Sequence, residues 1–241
     1  METSLKSRSA LFIMSENAAY LRGNHMQPCG YILNEVVFPF HELRQAGFKI
    51  DFATANGKPA PLRIDESEPG GDNTTAAFIE EYVEGSHLRP EVVTPLTDLS
   101  PLDYDIVYVP GGVGALYDFG LDGSKVSEFL VKAYDAGKVI GTLGFGGAAL
   151  ITARLASGKY LVTGKRLTCI SDDEERALGL DGVVPFLLAK RMRDIGALTV
   201  LTRQFESLVI SCGNLVTGQN SASSKDMGKA LIDAITNVHR T

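Results

Sequence analysis

Short apolar runs rich in β-branched residues alternate along the chain with stretches in which apolar residues return every three or four positions. The strand-like runs fall at 10–14, 49–53, 105–109, 138–143, 198–202, 208–211 and 215–217. Helical spacing occupies about 32–46, 123–136, 146–155, 185–195 and 222–238. Strand and helix in this alternation predict a doubly wound, mostly parallel α/β sheet sandwiched by helices. Residues 56–100 break the rhythm, with five of the ten prolines, the turn cluster "EPGGDNTT" and a polar helix candidate at 73–84. They read as a small cap inserted within a single domain spanning 1–241, not as a linker between two. Hydroxyls at 221–224 offer capping groups for the last helix.

Composition narrows the partners. With 241 residues and 44% hydrophobic content the chain has enough material for one proper core. Its 23 Lys and Arg residues are scattered and the net charge is −6, so neither nucleic acid nor an anionic membrane is an expected partner. The expected ligand is a small, uncharged molecule or another protein. No apolar run approaches the roughly 20 residues that cross a bilayer. The first residues hold a five-residue apolar run before Ser15 and Glu16, which lacks a secretory h-region and predicts a cytoplasmic protein. Cys29, Cys169 and Cys212 show neither CxxC nor Cys/His spacing, so no disulfide framework and no metal site are expected. Nothing in the sequence calls for a cofactor.

Two glycine-rich turns follow strand-like runs, where ligands of open α/β sheets collect. In "VPGGVGALYD" (109–118), Gly111 and Gly112 leave backbone N–H groups able to face an oxyanion, or simply make a tight turn. In "GTLGFGGAAL" (141–150) a strand runs into a helix-like segment with the layout of a nucleophile elbow. The residue forced into the crevice there is Gly144, which brings no reactive atom.

The segments "GYILNEVVFPFHELRQAGFKIDFAT", "YDIVYVPGGVGALYD", "AGKVIGTLGFGGAAL", "GKRLTCISDDEERALG" and "LVTGQNSASS" together resemble the ThiJ/PfpI superfamily, and most closely its branch of glutathione-independent glyoxalases (glyoxalase III) and stress chaperones. The resemblance runs from Ala10 to Ile235. It implies a flavodoxin-like sheet of the kind shared with class I glutamine amidotransferases, and a homodimer. The elbow of that family usually reads Cys-His-Gly-Pro, a nucleophile and its proton shuttle. Here the same places hold Gly144, Phe145, Gly146 and Gly147. The resemblance carries the family's first-helix glutamate onto Glu35 and the acid that orients its histidine onto Glu175, while Val113 replaces a further histidine.

Without a thiol at the elbow, neither glyoxalase nor cysteine-peptidase chemistry is expected there. What remains is a carboxylate among apolar side chains. Glu35 lies one turn before Pro39 on a helix with Tyr31, Ile32, Val36 and Phe40, where burial is expected to raise its pKa and suit it to general acid/base work. Gly111, Gly112, Val113, Gly144 and Phe145 are expected to line the pocket, with backbone donors for an oxyanion. Glu175, His25 and Tyr20 are candidates for support, the last two from a loop at 15–30. The bland alternatives are a Glu35 kept as a relic, a Glu175 that only solvates a helix start, and a surface His25. The sequence thus points to a thiol-independent enzyme acting on a small apolar carbonyl or enol, of hydratase, dehydratase, isomerase or cyclase type. The alternative is a non-catalytic relative serving as a binding protein or chaperone.

Overall fold

The computed structural model describes residues 8–63, 73–85, 87–120 and 125–238. Seven strands form the main sheet: β1 (Ser9–Met14), β2 (Lys49–Thr54), β3 (Val93–Pro95), β4 (Ile106–Val109), β5 (Val139–Leu143), β6 (Val209–Cys212) and β7 (Leu215–Gly218). Their order is β6-β7-β5-β4-β1-β2-β3. All neighbours run parallel except β6 against β7, a hairpin at the edge. Both faces are covered, which is why β1, β4 and β5 read as continuous apolar runs: every residue of β4 and β5 is buried.

Helices pack on the two faces. On one lie α1 (Leu33–Gln45) and the C-terminal helix Ser224–Val238, against Phe12, Phe52, Tyr108 and Val216. The other face carries the helix Lys125–Asp135 and the segments around Leu150, Leu188 and Met192. Within residues 56–100, a helix at Asn73–Tyr82 sets Phe78 and Tyr82 against Phe40 and Phe52 in an aromatic cluster with ring centroids 5.1–6.1 Å apart. The same span contributes β3 to the sheet edge.

Three expectations are corrected. The apolar run at 198–202 does not enter the main sheet: only Leu198–Thr199 is a strand, paired with Arg166–Leu167 in a separate two-stranded piece, and Leu198 and Leu201 are exposed. The segment at 15–30 is not a loop throughout but contains a hairpin, Ala19–Arg22 against His25–Pro28. The stretch after β5 winds as a 3-10 helix over Gly144–Leu150, tighter and earlier than the helix expected at 146–155.

Candidate functional site

Chain order reverses between β1 and β4, which are adjacent although two other strands of the main sheet lie between them in sequence. A crevice forms at such a switch point, beyond the carboxyl ends of the strands. Four connections converge there: the helix after β1 brings Glu35, the turn after β4 brings Gly111, the elbow after β5 brings Gly144, and the turn after β7 brings Ser221.

Glu35 is the centre of this convergence. It is 2% exposed. Its Oε2 accepts a hydrogen bond from the Gly111 N–H at 2.7 Å, and its Oε1 accepts one from the Ser221 hydroxyl at 2.8 Å. The helix is adapted to it as well. Pro39, four residues on, has no N–H to donate to the Glu35 carbonyl. The Tyr108 hydroxyl, held fully neutral by burial with its pKa well above the ordinary value, donates to that carbonyl instead at 2.7 Å. Proline thus leaves a backbone acceptor that locks α1 to β4 at the residue carrying the carboxylate.

The elbow meets Glu35 directly. Gly144 has φ 54°, the left-handed region that glycine adopts without penalty. A Cβ built there would sit 3.3 Å from Glu35 Oε1 and 3.6 Å from Oε2. The position occupied by a cysteine in the resemblance therefore projects onto the carboxylate, and here it carries only hydrogen.

A cavity of about 310 Å³ opens on this group. Glu35, Gly144 and Ser221 reach its surface; Ile32, Val113, Phe145, Ile170, Leu178, Phe205 and Ala222 make it largely apolar, and Arg63 and Asn220 complete the described lining. Phe205 is held at φ 60°, unusual for a residue with a side chain. Its N–H donates at 2.8 Å to Glu174, a fully buried carboxylate that also accepts from the Ser171 N–H, Gln219 Nε2 and Asn220 Nδ2. Glu174 thus ties two cavity walls together, the Phe205 turn and the segment leading into Ser221.

The other sequence candidates fall elsewhere. His25 is exposed near the tip of the hairpin and does not line the cavity. Tyr20 is buried and stacks on Tyr117 with centroids 6.4 Å apart, also away from the cavity. Glu175 is buried outside the lining, with Oε2 accepting from the Leu188 N–H at 2.8 Å and Oε1 without a partner. Burial pushes its pKa up to about 8, so it is mostly a neutral carboxyl at pH 7. Phe145 stands at the position of its histidine partner in the resemblance, and the remaining help, from the Leu188 N–H and the charge of Arg176, does not offset its burial. Gly111 and Gly112 correct the oxyanion expectation: the Gly111 N–H is taken by Glu35, and neither residue is in the lining, since Gly112 packs against the Gly30 carbonyl with room for no side chain. Val113, Gly144 and Phe145 do line the cavity.

Cys29 and Cys169 are buried, and burial raises both thiols, Cys29 to about 11. Cys29 donates to the Asn17 carbonyl. Neither is a displaced nucleophile. Among the described residues no cluster of His, Cys, Asp or Glu suits a metal ion, and no helix is long and apolar enough to cross a membrane.

Taken with its topology, this is a doubly wound α/β protein of the elbow type, with its candidate site at the switch point. Residues 30–234 match the DJ-1/PfpI family, and the chain belongs to that family. It is 26% identical over 94% of its length, and 77% of the relative's, to a Staphylococcus aureus protein named protein/nucleic acid deglycase HchA. It resembles the crystal structure of Rapid Encystment Protein 24 kDa from Francisella tularensis with a TM-score of 0.80 at 25% identity, covering 95% of this chain and 99% of that one. Glyoxalase III from Candida albicans shares the fold with a TM-score of 0.80 at 21% identity, over 95% and 98% of the two chains.

Proposed function

We propose that this chain is a thiol-independent member of its family, in which Glu35 moves protons on a small, largely apolar carbonyl or enol compound. The observation that carries the reading is the pairing of Glu35 with Gly144. The elbow keeps its left-handed backbone and its aim at the carboxylate, yet supplies no sulfur. Covalent routes through a hemithioacetal or thioester therefore have no nucleophile at this site. Proton transfer needs none. A carboxylate fixed by two donors, facing a cavity with an apolar wall, suits abstraction of a proton α to a carbonyl and its return to a neighbouring atom. Isomerisation consists of such steps alone; hydration and dehydration add the entry or departure of water, and cyclisation the closing of a ring bond, to the same proton transfer.

The relatives named deglycase and glyoxalase III act, by those names, on carbonyl adducts or dicarbonyls. The proposal keeps a carbonyl substrate and replaces the thiol step with acid/base chemistry. Its test is Glu35→Gln. The amide oxygen can accept from the Gly111 N–H and the amide nitrogen can donate to Ser221, whose hydroxyl reverses its role, so folding is expected to survive. Native mass spectrometry of freshly purified protein identifies any retained small molecule. Wild type is expected to convert that class of compound and the variant to bind it without turnover. Equal turnover by both rules out Glu35 as the acid/base, and suppression of protein aggregation equal in both, with no turnover by wild type, favours a binding or chaperone role.

A further inference from the structure

Resting on that reading, we infer that the substrate carries a carboxylate next to its reacting carbonyl, as in a small apolar 2-oxo acid, and that Arg63 is the anchor for it. Among the described residues, Glu35 and Arg63 are the only charged side chains lining the cavity. They are used differently. Both oxygens of Glu35 are engaged, by Gly111 and by Ser221. Arg63 is partly buried at the rim, and none of the ion pairs among the described residues includes it. A guanidinium at an apolar cavity with no carboxylate paired to it among the described residues is a fork suited to bidentate capture of one.

The backbone that presents Arg63 is built for the purpose. The short strand Leu62–Arg63 runs parallel to Tyr31–Ile32, with Ile32 opposite Arg63, immediately before the helix that carries Glu35. The Tyr31 N–H donates to the Pro61 carbonyl at 2.9 Å. A Cβ on Gly30 would lie 2.2 Å from that carbonyl oxygen and 3.0 Å from the Arg63 nitrogen. Glycine at position 30 is thus what lets the strand approach and sets a cation at the rim beside Ile32. Val113, Phe145, Ile170, Leu178 and Phe205 offer only apolar contact, and the polar Asn220 and Ser221 are bonded to Glu174 and Glu35. A volume of about 310 Å³ is at the small end of ligand pockets, roughly 300–1,000 Å³. Charge at one end, a short branched apolar chain and a carbonyl between them match the three features of the cavity. The scattered charge and net −6 of the chain gave no hint of an anionic ligand, because the preference resides in one local cation.

The test compares two compounds of the same shape by ligand-observed NMR and calorimetry: 4-methyl-2-oxopentanoate, and 5-methyl-2,3-hexanedione, in which an acetyl group replaces the carboxylate. Wild type is expected to bind the acid at least ~10-fold more tightly than the dione, with the advantage shrinking as salt rises. Arg63→Gln is expected to remove that advantage while leaving dione affinity within about twofold, and Arg63→Lys to recover part of it. Equal affinity of wild type for the two, failure of the acid to bind, or a preference unchanged in Arg63→Gln overturns the anchor. Glu35→Gln separates the two claims: it is expected to keep the preference for the acid and lose proton exchange, so a failed anchor and a failed Glu35 give different results.

Discussion

Replacing Gly144 by alanine isolates what the elbow demands. Its φ of 54° costs a residue with a side chain about 1–2 kcal/mol. The new methyl would also stand 3.3 Å from Glu35 Oε1, and Glu35 has little freedom to retreat because Gly111 and Ser221 hold both of its oxygens. Together these terms come to about 1–3 kcal/mol. In a chain of this size each kcal/mol shifts Tm by about 2–4 °C, so a fall of about 2–12 °C is expected in calorimetry, with a matching loss in urea unfolding. Gly23 supplies the control. It has φ 60° at the tip of the hairpin, and a Cβ there meets nothing within 4 Å. Gly23→Ala bears the conformational cost alone, and its Tm loss should be the smaller of the two. A Gly144→Ala loss no larger than that of Gly23→Ala would refute the packing of position 144 onto the carboxylate.

Other consequences are as direct. Ser221→Ala removes the hydroxyl on Glu35 Oε1 and should cost about 1.5–3 kcal/mol in urea unfolding, the range for a hydrogen bond to a charged group. Glu175, raised by burial to about 8, binds a proton more tightly folded than unfolded. Its contribution is fully present below its unfolded pKa near 4.5 and is lost as pH rises through about 8, with a slope of up to about 1.4 kcal/mol per pH unit. Glu175→Gln should flatten that fall in stability between pH 5 and 8; Asp118, raised to about 6, leaves a smaller decline of the same sign at the acid end. With Cys29 and Cys169 buried and their thiols raised, only Cys212 should react quickly with an aromatic disulfide reagent at pH 7.5, giving one fast thiol per chain and unchanged proton-transfer activity.

How far the sequence carries the structure depends on how local the governing physics is. Strands such as β1, β4 and β5 are legible because burial on both faces writes itself as an unbroken apolar run. The run at 198–202 is of similar composition but leaves Leu198 and Leu201 exposed and the rest half-buried, and periodicity alone does not separate the two. Glu35 is legible as an acid set among apolar positions in the first turns of a helix, and the elbow as a strand entering a glycine turn. Ser221 is not: it reads as a helix-capping hydroxyl, and its bond to Glu35 spans 186 positions. Arg63 sits in an irregular segment whose position is set by the contact of Gly30 with Pro61, a long-range fit with no period. Glu174, the most heavily bonded carboxylate described, looks like one acid in "DDEER" beside Glu175. The misplacement of His25 had a readable remedy, since Gly23-Asn24 between two four-residue runs is a hairpin signal.

The central claim, that a carboxylate without a sulfur partner transfers protons in this cavity, is tested most directly by hydrogen–deuterium exchange at carbon. 4-Methyl-2-oxopentanoate and 5-methyl-2,3-hexanedione are incubated in D2O with wild-type protein, with Glu35→Gln, and with wild type alkylated at its accessible thiol, and loss of the α-proton signals is followed by NMR. Wild type and the alkylated protein are expected to exchange the α-protons of at least one compound well above the buffer rate, and Glu35→Gln to fall by about 10²–10⁴-fold. Exchange by Glu35→Gln at the wild-type rate, or none above buffer with wild type, would contradict the claim.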